Sequence, residues 1–266
     1  MKDVKIVFVD LDGTLRDSEG NISERSVKIM KKLKDIGIYV VFTTGRNVDY
    51  TVKLAKQFNP SSYVITSNGA EVYNYLNNRI VFKNPIMYKD LEYLDTLIEK
   101  YNVYFLTNSF DKRYTTRDFD NIGKNIISKL TEYDGEINQI VVQSFDKDIL
   151  NKFKEEIDNY PTLKVINRSN PNLDDNLLSY LDIVNSDCSK GNAIKELCEF
   201  LNIKLENTMA IGDSINDKDM FEVCTYKVAM GNASDEIKNL SNYITVSNDQ
   251  DGVSVVLERL YNELIK

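Results

Sequence analysis

Apolar and polar positions along this chain fall into blocks with two distinct periods. Residues 4–9 are a short apolar run interrupted by Lys5, the pattern of a buried strand. Residues 23–36 place Val27, Ile29, Met30 and Leu33 at helical spacing, with Ser23 as a candidate N-cap and Gly37 as the stop. Residues 38–43 predict a second buried strand, and 47–58 a helix ended by Asn59-Pro60. Residues 63–66 predict a third strand, running into Asn68-Gly69; 71–75 and 79–83 predict a hairpin around Asn77-Asn78. Continuous apolar strands separated by amphipathic helices predict an α/β architecture with a parallel, doubly wound sheet.

From residue 84 to 185 the strands become more polar and alternate more strictly. The spacing predicts a helix over 89–101, strands near 103–108 and 112–117, a helix over 121–131, a strand near 138–145, a helix over 147–159, and strands near 163–168 and 178–184. Half-exposed strands with helices on one face predict an α+β module. The parallel pattern then returns. It predicts a helix at 189–201, a strand at 208–211, a helix at 217–223 and a strand at 226–230. A helix at 235–240, a strand at 243–246 and a closing helix at 252–264 complete it. The expected organisation is a core from residues 1–83 and 186–266, split by an inserted domain at 84–185, within ordinary domain size.

Composition narrows the function. The chain has 266 residues, 42% hydrophobic and 28% charged, the balance of a soluble protein. A formal net charge of −8 argues against a broad nucleic-acid footprint and against an anionic membrane face. It leaves room for a small anionic substrate, because a metal and a few Lys or Arg reverse the field locally. The chain contains no histidine, which removes Ser-His-Asp and Cys-His catalysis and histidine metal sites. Proton transfer must fall to Asp, Glu, Lys, Tyr or Cys. Cys188, Cys198 and Cys224 form no disulfide or zinc pattern, which suits a reducing, cytoplasmic setting. The first apolar run is too short for a signal peptide, no stretch approaches a membrane span, and no protein partner is evident.

The chemistry concentrates at strand ends. Asp10-Leu11-Asp12-Gly13-Thr14 follows the first apolar run. Such a fixed pattern arises by chance in roughly one chain of this length in three hundred, so a pair of ordinary turn acids is a poor account of it. In an extended strand, positions i and i+2 face the same side. Asp10 and Asp12 can then converge, to share either a proton or a cation. One Asp attacking phosphorus, the other moving a proton and a divalent metal tolerating both is the matching chemistry. Thr44 and Gly45, before Arg46, offer a hydroxyl and an open backbone N–H to phosphate oxygens. Lys190 begins a helix against the macrodipole preference, so an anionic neighbour is expected. After the strand at 208–211, Asp213 can ligate a cation, Asn216 can hydrogen-bond phosphate, and Asp217 can orient Lys190 or a metal-bound water. Hard oxygen ligands select Mg²⁺ over zinc.

Together, Asp10-Leu11-Asp12-Gly13-Thr14, Thr44-Gly45-Arg46, Lys190-Gly191 and Gly212-Asp213-Ser214-Ile215-Asn216-Asp217 resemble the four motifs of the haloacid dehalogenase (HAD) superfamily. Ser67-Asn68-Gly69-Ala70, Ala229-Met230-Gly231-Asn232-Ala233 and Asn248-Asp249-Gln250-Asp251-Gly252-Val253 resemble further blocks of its Cof-type sugar-phosphate phosphatase branch. The resemblance implies a Rossmann-like core with an inserted α+β cap that sets substrate choice. It implies Asp10 as the nucleophile forming an aspartyl-phosphate and Asp12 as the acid and base. Mg²⁺ would be held by Asp10, the Asp12 carbonyl and Asp213. Leu11, Thr44, Gly45, Lys190 and Asn216 would bind phosphate, with Ser214 and Asp217 in support and Arg46 and Asn68 toward the substrate. The implied activity is hydrolysis of a small phosphorylated metabolite. The alternatives on the same fold are a phosphosugar-binding regulator without turnover, or a phosphomutase or transferase.

Overall fold

A computed structural model describes residues 1–58, 60–109, 113–117, 125–168 and 178–266. The chain divides into two units: Met1–Phe82 with Ser189–Lys266, and Lys83–Cys188.

The first unit begins with β1 (Ile6–Val9), α1 (Glu24–Asp35), β2 (Tyr39–Thr43), α2 (Val48–Phe58), β3 (Tyr63–Thr66), β4 (Glu71–Asn74) and β5 (Arg79–Lys83). The second unit holds α3 (Tyr88–Tyr101), β6 (Tyr104–Ser109), β7 (Tyr114–Thr115), β8 (Asn125–Ile126), β9 (Ile137–Ser144), α4 (Lys147–Asp158), β10 (Leu163–Arg168) and β11 (Ser179–Asn185). The chain then returns through α5 (Lys190–Phe200), β12 (Thr208–Gly212), α6 (Lys218–Val223), β13 (Tyr226–Ala229), α7 (Asp235–Leu240), β14 (Tyr243–Ile244) and α8 (Gly252–Leu264).

Among the described residues the first sheet has the order β14-β13-β12-β1-β2-β3-β4-β5. From β14 to β3 the neighbours run parallel, and β4 turns back antiparallel on β3. β1 lies at the centre, with Val9 opposite Ile211 on one side and Phe42 on the other. All four β1 residues are buried, because helices cover both faces of a doubly wound sheet. The chain order reverses across β1, since β2 lies on one side and β12 on the other. That switch point opens a crevice at the carboxyl ends of the strands, the usual place for a ligand in open α/β sheets.

The second unit is a mixed sheet, β10-β11-β9-β6-β7-β8, antiparallel except for the short β7–β8 pair. Leu91, Leu94, Leu97 and Ile98 of α3 and Leu150, Phe153 and Ile157 of α4 form its core with Phe105, Ile140, Val142, Leu181 and Ile183. Asp146 caps α4 by accepting from the backbone N–H groups of Asp148 and Ile149.

The helix expected over 121–131 is not formed where the chain is described. Residues 121–124 lie outside the described residues; Asn125–Ile126 pair with β7 as β8, and Leu130–Glu132 make a single 3-10 turn. The spacing of Ile127 and Leu130 imitates a helix face, yet both pack into the core of this unit from an irregular segment. Asp95 of α3 replaces the missing helical acceptors. Its carboxylate accepts from Leu130 N at 2.7 Å, Thr131 N at 3.1 Å and Thr131 Oγ1 at 2.7 Å. Tertiary capture of backbone donors overrides local propensity here. Of the strand expected near 112–117, Tyr114–Thr115 is formed and residue 112 lies outside the described residues.

One close approach in the first unit fixes where α5 begins. Gly69, after β3, has φ +94°, and a Cβ there would lie 2.1 Å from the Ser189 carbonyl oxygen. The turn after β3 thus rests against the first turn of α5. Gly37 is also left-handed, at φ +82°, but a Cβ there meets nothing within 4 Å. Gly69→Ala is expected to destabilise the protein by on the order of 3 kcal/mol, the sum of backbone strain and overpacking. Gly37→Ala is expected to cost about 1 kcal/mol, from backbone strain alone. Urea denaturation of the two variants measures the difference; equal costs would remove the Gly69–Ser189 contact from the account.

Candidate active site

β1 delivers Asp10 to the switch point. Its N–H continues the ladder by donating to Ile211 O at 3.1 Å, and its side chain is 6% exposed. The chain then turns tightly: Thr14 N and Arg16 N donate to Leu11 O, and Leu15 N donates to Asp10 O. Gly13 sits in this turn at φ +85°, and a Cβ would fall 2.5 Å from Asp213 Oδ2. A glycine is therefore what admits Asp213, which arrives from the end of β12. Thr14 Oγ1 donates to Asp213 Oδ1 at 2.8 Å and fixes it there.

Lys190 is the first residue of α5, whose N-cap is Ser189, accepting from Asn192 N. Its Nζ donates to Asp10 Oδ1 and to Asp217 Oδ1, each at 2.7 Å. All three groups are buried. The anionic neighbours expected from the placement of Lys190 are these two carboxylates. Asp217 does more: its Oδ2 accepts from Asp213 N at 3.0 Å and Ser214 N at 3.2 Å. It therefore ties the β12 loop to the lysine, and both its oxygens are engaged. Asn216 lies in the same turn, its carbonyl oxygen accepting from the Ser214 hydroxyl.

At the end of β2, Thr44 is buried; its N–H donates to Ile65 O and its carbonyl accepts from Asn68 N. Its hydroxyl oxygen accepts from Arg46 N at 3.1 Å. Gly45 packs against the Asn68 side chain, where a Cβ would lie 2.8 Å from Nδ2. Ser67 and Asn68 both take left-handed backbone conformations to make this turn. The predicted residues of the second strand end are thus stitched to the turn after β3, and through Gly69 to α5.

The acidic oxygens of Asp10, Asp213 and Asp217 lie within 4.8 Å of one another. Asp12 stands apart: its side chain is 43% exposed and carries Arg46 Nε at 2.8 Å and Arg16 Nη1 at 2.6 Å.

The sequence profile of the haloacid dehalogenase-like hydrolases matches residues 7–257. This chain belongs to that family. The 5-amino-6-(5-phospho-D-ribitylamino)uracil phosphatase YcsE of Bacillus subtilis is 32% identical to this hydrolase, covering 95% of this chain and 94% of YcsE. Phosphatase YwpJ of the same organism is 27% identical, over 97% of this chain and 100% of its own. Among solved structures, a haloacid dehalogenase-like hydrolase from Bacteroides thetaiotaomicron superposes with TM-score 0.84 at 26% identity, over 97% of this chain and 99% of its own. TM0651 of Thermotoga maritima superposes equally, with TM-score 0.84 at 28% identity, over 96% and 97%. The hydrolase is a HAD-type phosphatase, a phosphoric monoester hydrolase on the α/β fold read from its sequence.

Charge in this HAD site is out of balance. Three carboxylates face one ammonium. Burial, and then the Asp217 charge, push the Asp10 carboxyl well above the usual carboxylate range against the pull of Lys190. Burial and the Asp217 charge push Asp213 up to about 6. Burial alone would lower Lys190, but Asp10 and Asp217 outweigh it and hold the ammonium above its usual range. Partial burial would raise Asp12; the hydrogen bonds and charges of Arg46 and Arg16 outweigh it and hold Asp12 below the usual range. The surplus negative charge and all-oxygen donor set fit a hard divalent cation. With Asp217 saturated by Lys190 and two backbone donors, Asp10 and Asp213 are the side chains suited to hold one.

Sequence reasoning gave no role to Thr14, Arg16, Asn232 or Asn248. Asn232 Nδ2 donates to Gly13 O at 2.8 Å, and Asn248 Nδ2 to Arg16 O at 2.9 Å. Arg16 was detectable as an opposite charge four residues after Asp12. Cys188, Cys198 and Cys224 are all buried, and burial pushes the thiols of Cys198 and Cys224 up to about 12. Buried protonated thiols are poor nucleophiles.

The raised Asp213 value makes a signed prediction for metal-free protein. The folded state holds this proton from the ordinary carboxylate range up to about 6. Ionisation therefore costs stability as pH rises through that window, and the cost stays in place above it. In chelator at pH 7.5, Asp213→Asn is expected to be more stable than the parent by on the order of 2 kcal/mol. The gap should close near pH 4 in urea titrations. A gap independent of pH would refute the assigned charge strain.

Proposed function

We propose that this HAD phosphatase is Mg²⁺-dependent and hydrolyses a small phosphorylated metabolite, with a sugar or polyol phosphate the best-supported class. The observation that carries the reading is the buried Asp10–Lys190–Asp217 linkage beside Asp213. It presents a carboxylate nucleophile next to a cationic phosphate ligand and an oxygen-only cation site. YcsE, the 32% identical relative, is named for a ribityl phosphate monoester, which supports the substrate class.

Asp10 attacks phosphorus and forms an aspartyl-phosphate; Asp12, which the two arginines keep ionised in the free enzyme, must take up a proton before it gives one to the departing alcohol oxygen. In the second half, Asp12 takes a proton from water, which attacks phosphorus and frees Asp10. Splitting the displacement in two lets one carboxylate serve as a temporary leaving group. Lys190, Thr44, the Leu11 and Gly45 backbone and the Asn216 amide hold the phosphoryl oxygens. Asp217 orients Lys190, and Ser214 orients Asn216 through its carbonyl oxygen. Asp10, the Asp12 carbonyl and Asp213 would hold Mg²⁺. The ion supplies the positive charge that lets a carboxylate approach a phosphate dianion. At ~4 Å and an effective dielectric of ~20, each like-charge pair costs on the order of 4 kcal/mol, so this neutralisation decides whether attack occurs.

The unit Lys83–Cys188 is the proposed cap that selects the substrate, with Arg46 and Asn68 contributing from the core. The buried free thiols suit a reducing compartment, and we place the enzyme in the cytoplasm. Among the described residues no helix is long and apolar enough to cross a membrane.

Phosphate release from p-nitrophenyl phosphate is expected to require added Mg²⁺. Asp10→Asn should lower it by about 10³-fold or more, because the nucleophile is lost. Equal rates for the two proteins would end the phosphatase mechanism. A panel of sugar, polyol and nucleotide monophosphates, scored by kcat/KM, then ranks the substrate class.

A further inference from the structure

Among the described site carboxylates, Asp12 is held by partners that phosphoryl transfer does not itself require. Arg46 grips it with Nε on Oδ2 at 2.8 Å and Nη2 on Oδ1 at 3.1 Å. Arg16 adds Nη1 on Oδ1 at 2.6 Å. The two arginines are mounted differently. The Arg46 side chain is 51% exposed, that of Arg16 only 19%. Arg16 is anchored along its whole length: its N–H donates to Leu11 O at 2.9 Å, its carbonyl accepts from Asn248 Nδ2 at 2.9 Å, and its Nε donates to Gly20 O at 2.8 Å. Asn248 is held in turn, its N–H donating to Asn232 Oδ1 at 3.1 Å, while Asn232 reaches Gly13 O. Asp249 Oδ1 accepts from Ser18 N at 2.7 Å. The sequence blocks around Asn232 and Asn248 thus brace the loop that carries Arg16.

This mounting changes the energetics. An exposed ion pair contributes little, partly because ordering two long side chains costs entropy. Arg16 is ordered by its other bonds, so its grip on Asp12 keeps more of the Coulombic gain. The grip also opposes a specific competitor. Asp12 lies two residues from Asp10, and a divalent cation at Asp10 and Asp213 would attract a third carboxylate. A carboxylate bound to that cation could no longer carry a proton to the leaving oxygen.

We propose that Arg16 is a positioning residue that keeps the Asp12 carboxylate off the cation site, so that Asp12 stays free for proton transfer. The inference rests on the Mg²⁺-phosphatase reading above and adds to it the residue that separates the two aspartates' tasks. Loss of Arg16 leaves Asp12 to the half-exposed Arg46 alone, a weaker hold from which Asp12 can join the cation. Metal binding then tightens while protonation of the leaving group fails.

The test titrates Mn²⁺ alone into substrate-free protein by calorimetry. Arg16→Ala and Arg16→Gln are expected to bind Mn²⁺ about tenfold more tightly than the parent, the scale on which neighbours of metal ligands act. Adding Asp12→Asn should return the affinity to the parent value, and Arg16→Lys should stay close to it. Kinetics give a second readout, because kcat/KM reports the first phosphoryl transfer. An alkyl phosphate, whose alcohol needs a proton to leave, should lose about tenfold or more in Arg16→Ala. p-Nitrophenyl phosphate, whose phenolate leaves unprotonated, should change by less than about twofold. Unchanged Mn²⁺ affinity in both variants, tightening that survives Asp12→Asn, or equal losses on the two esters would each overturn the proposal. A parent protein that binds no Mn²⁺ at all would instead overturn the metal reading beneath it.

Discussion

Lys190 keeps an ammonium inside the protein with Asp10 and Asp217 each 2.7 Å away. Removing such a charge from water costs several kcal/mol, which only close, well-directed partners offset. The three groups come from the end of β1, the start of α5 and the turn after β12, so their meeting constrains all three at once. None can drift without leaving a buried charge unpaired. This explains why the crowded backbone around them is tolerated. Gly13 admits Asp213, Gly69 admits the first turn of α5, and a Cβ at Gly212 would lie 2.6 Å from Asp217 Oδ2. Small residues here make room for carboxylates rather than flexibility for the chain.

The same constraint accounts for the interrupted sequence. Lys190 lies 180 residues from Asp10, with the whole of the second unit between them. Closure entropy grows only logarithmically with loop length, so a folded insertion at this place costs little. Among the described residues the insertion also has its own core, built on Phe105, Phe153 and the α3 leucines. A module with its own core can vary its surface while the charge linkage stays fixed. That division suits an enzyme whose chemistry is general and whose substrate must be chosen.

What could be read from the sequence followed the range of the interactions. The order of β1, α1, β2, α2 and β3 was legible because each buries a face whose period is written in a few adjacent residues. Asp10, Asp213 and Asp217 stood out because each follows the end of an apolar strand, and Lys190 because it begins a helix against the macrodipole preference. The helix expected over 121–131 failed because Asp95, in a different element, takes the backbone donors of Leu130 and Thr131. Arg16 was passed over, and Asn232 and Asn248 were given no role of their own, for the same reason. The bonds from Asn232 to Gly13 and from Asn248 to Arg16 span 219 and 232 residues. Local patterning carries no record of such pairings, and a polar residue in a loop looks solvated until its partner is placed.

An acidic protein with an acidic site must still attract an anion. The net charge of −8 and the cluster of Asp10, Asp213 and Asp217 both oppose a phosphate dianion. The opposition is useful because it is conditional. Without a cation, burial and then the neighbouring Asp217 charge raise Asp10 and Asp213. With a divalent cation, as on the proposed reading, Asp10 and Asp213 become ligands, the surplus negative charge of the site is neutralised, and Asp10 is an anion poised beside phosphorus. Lys190 alone cannot make that change, since Asp217 shares its charge. On that reading Asp12 must stay out of the exchange, because a proton carrier that became a ligand would trade turnover for metal affinity. The two guanidinium groups on Asp12 supply a competing positive charge at the carboxylate that the proposed chemistry needs uncoordinated.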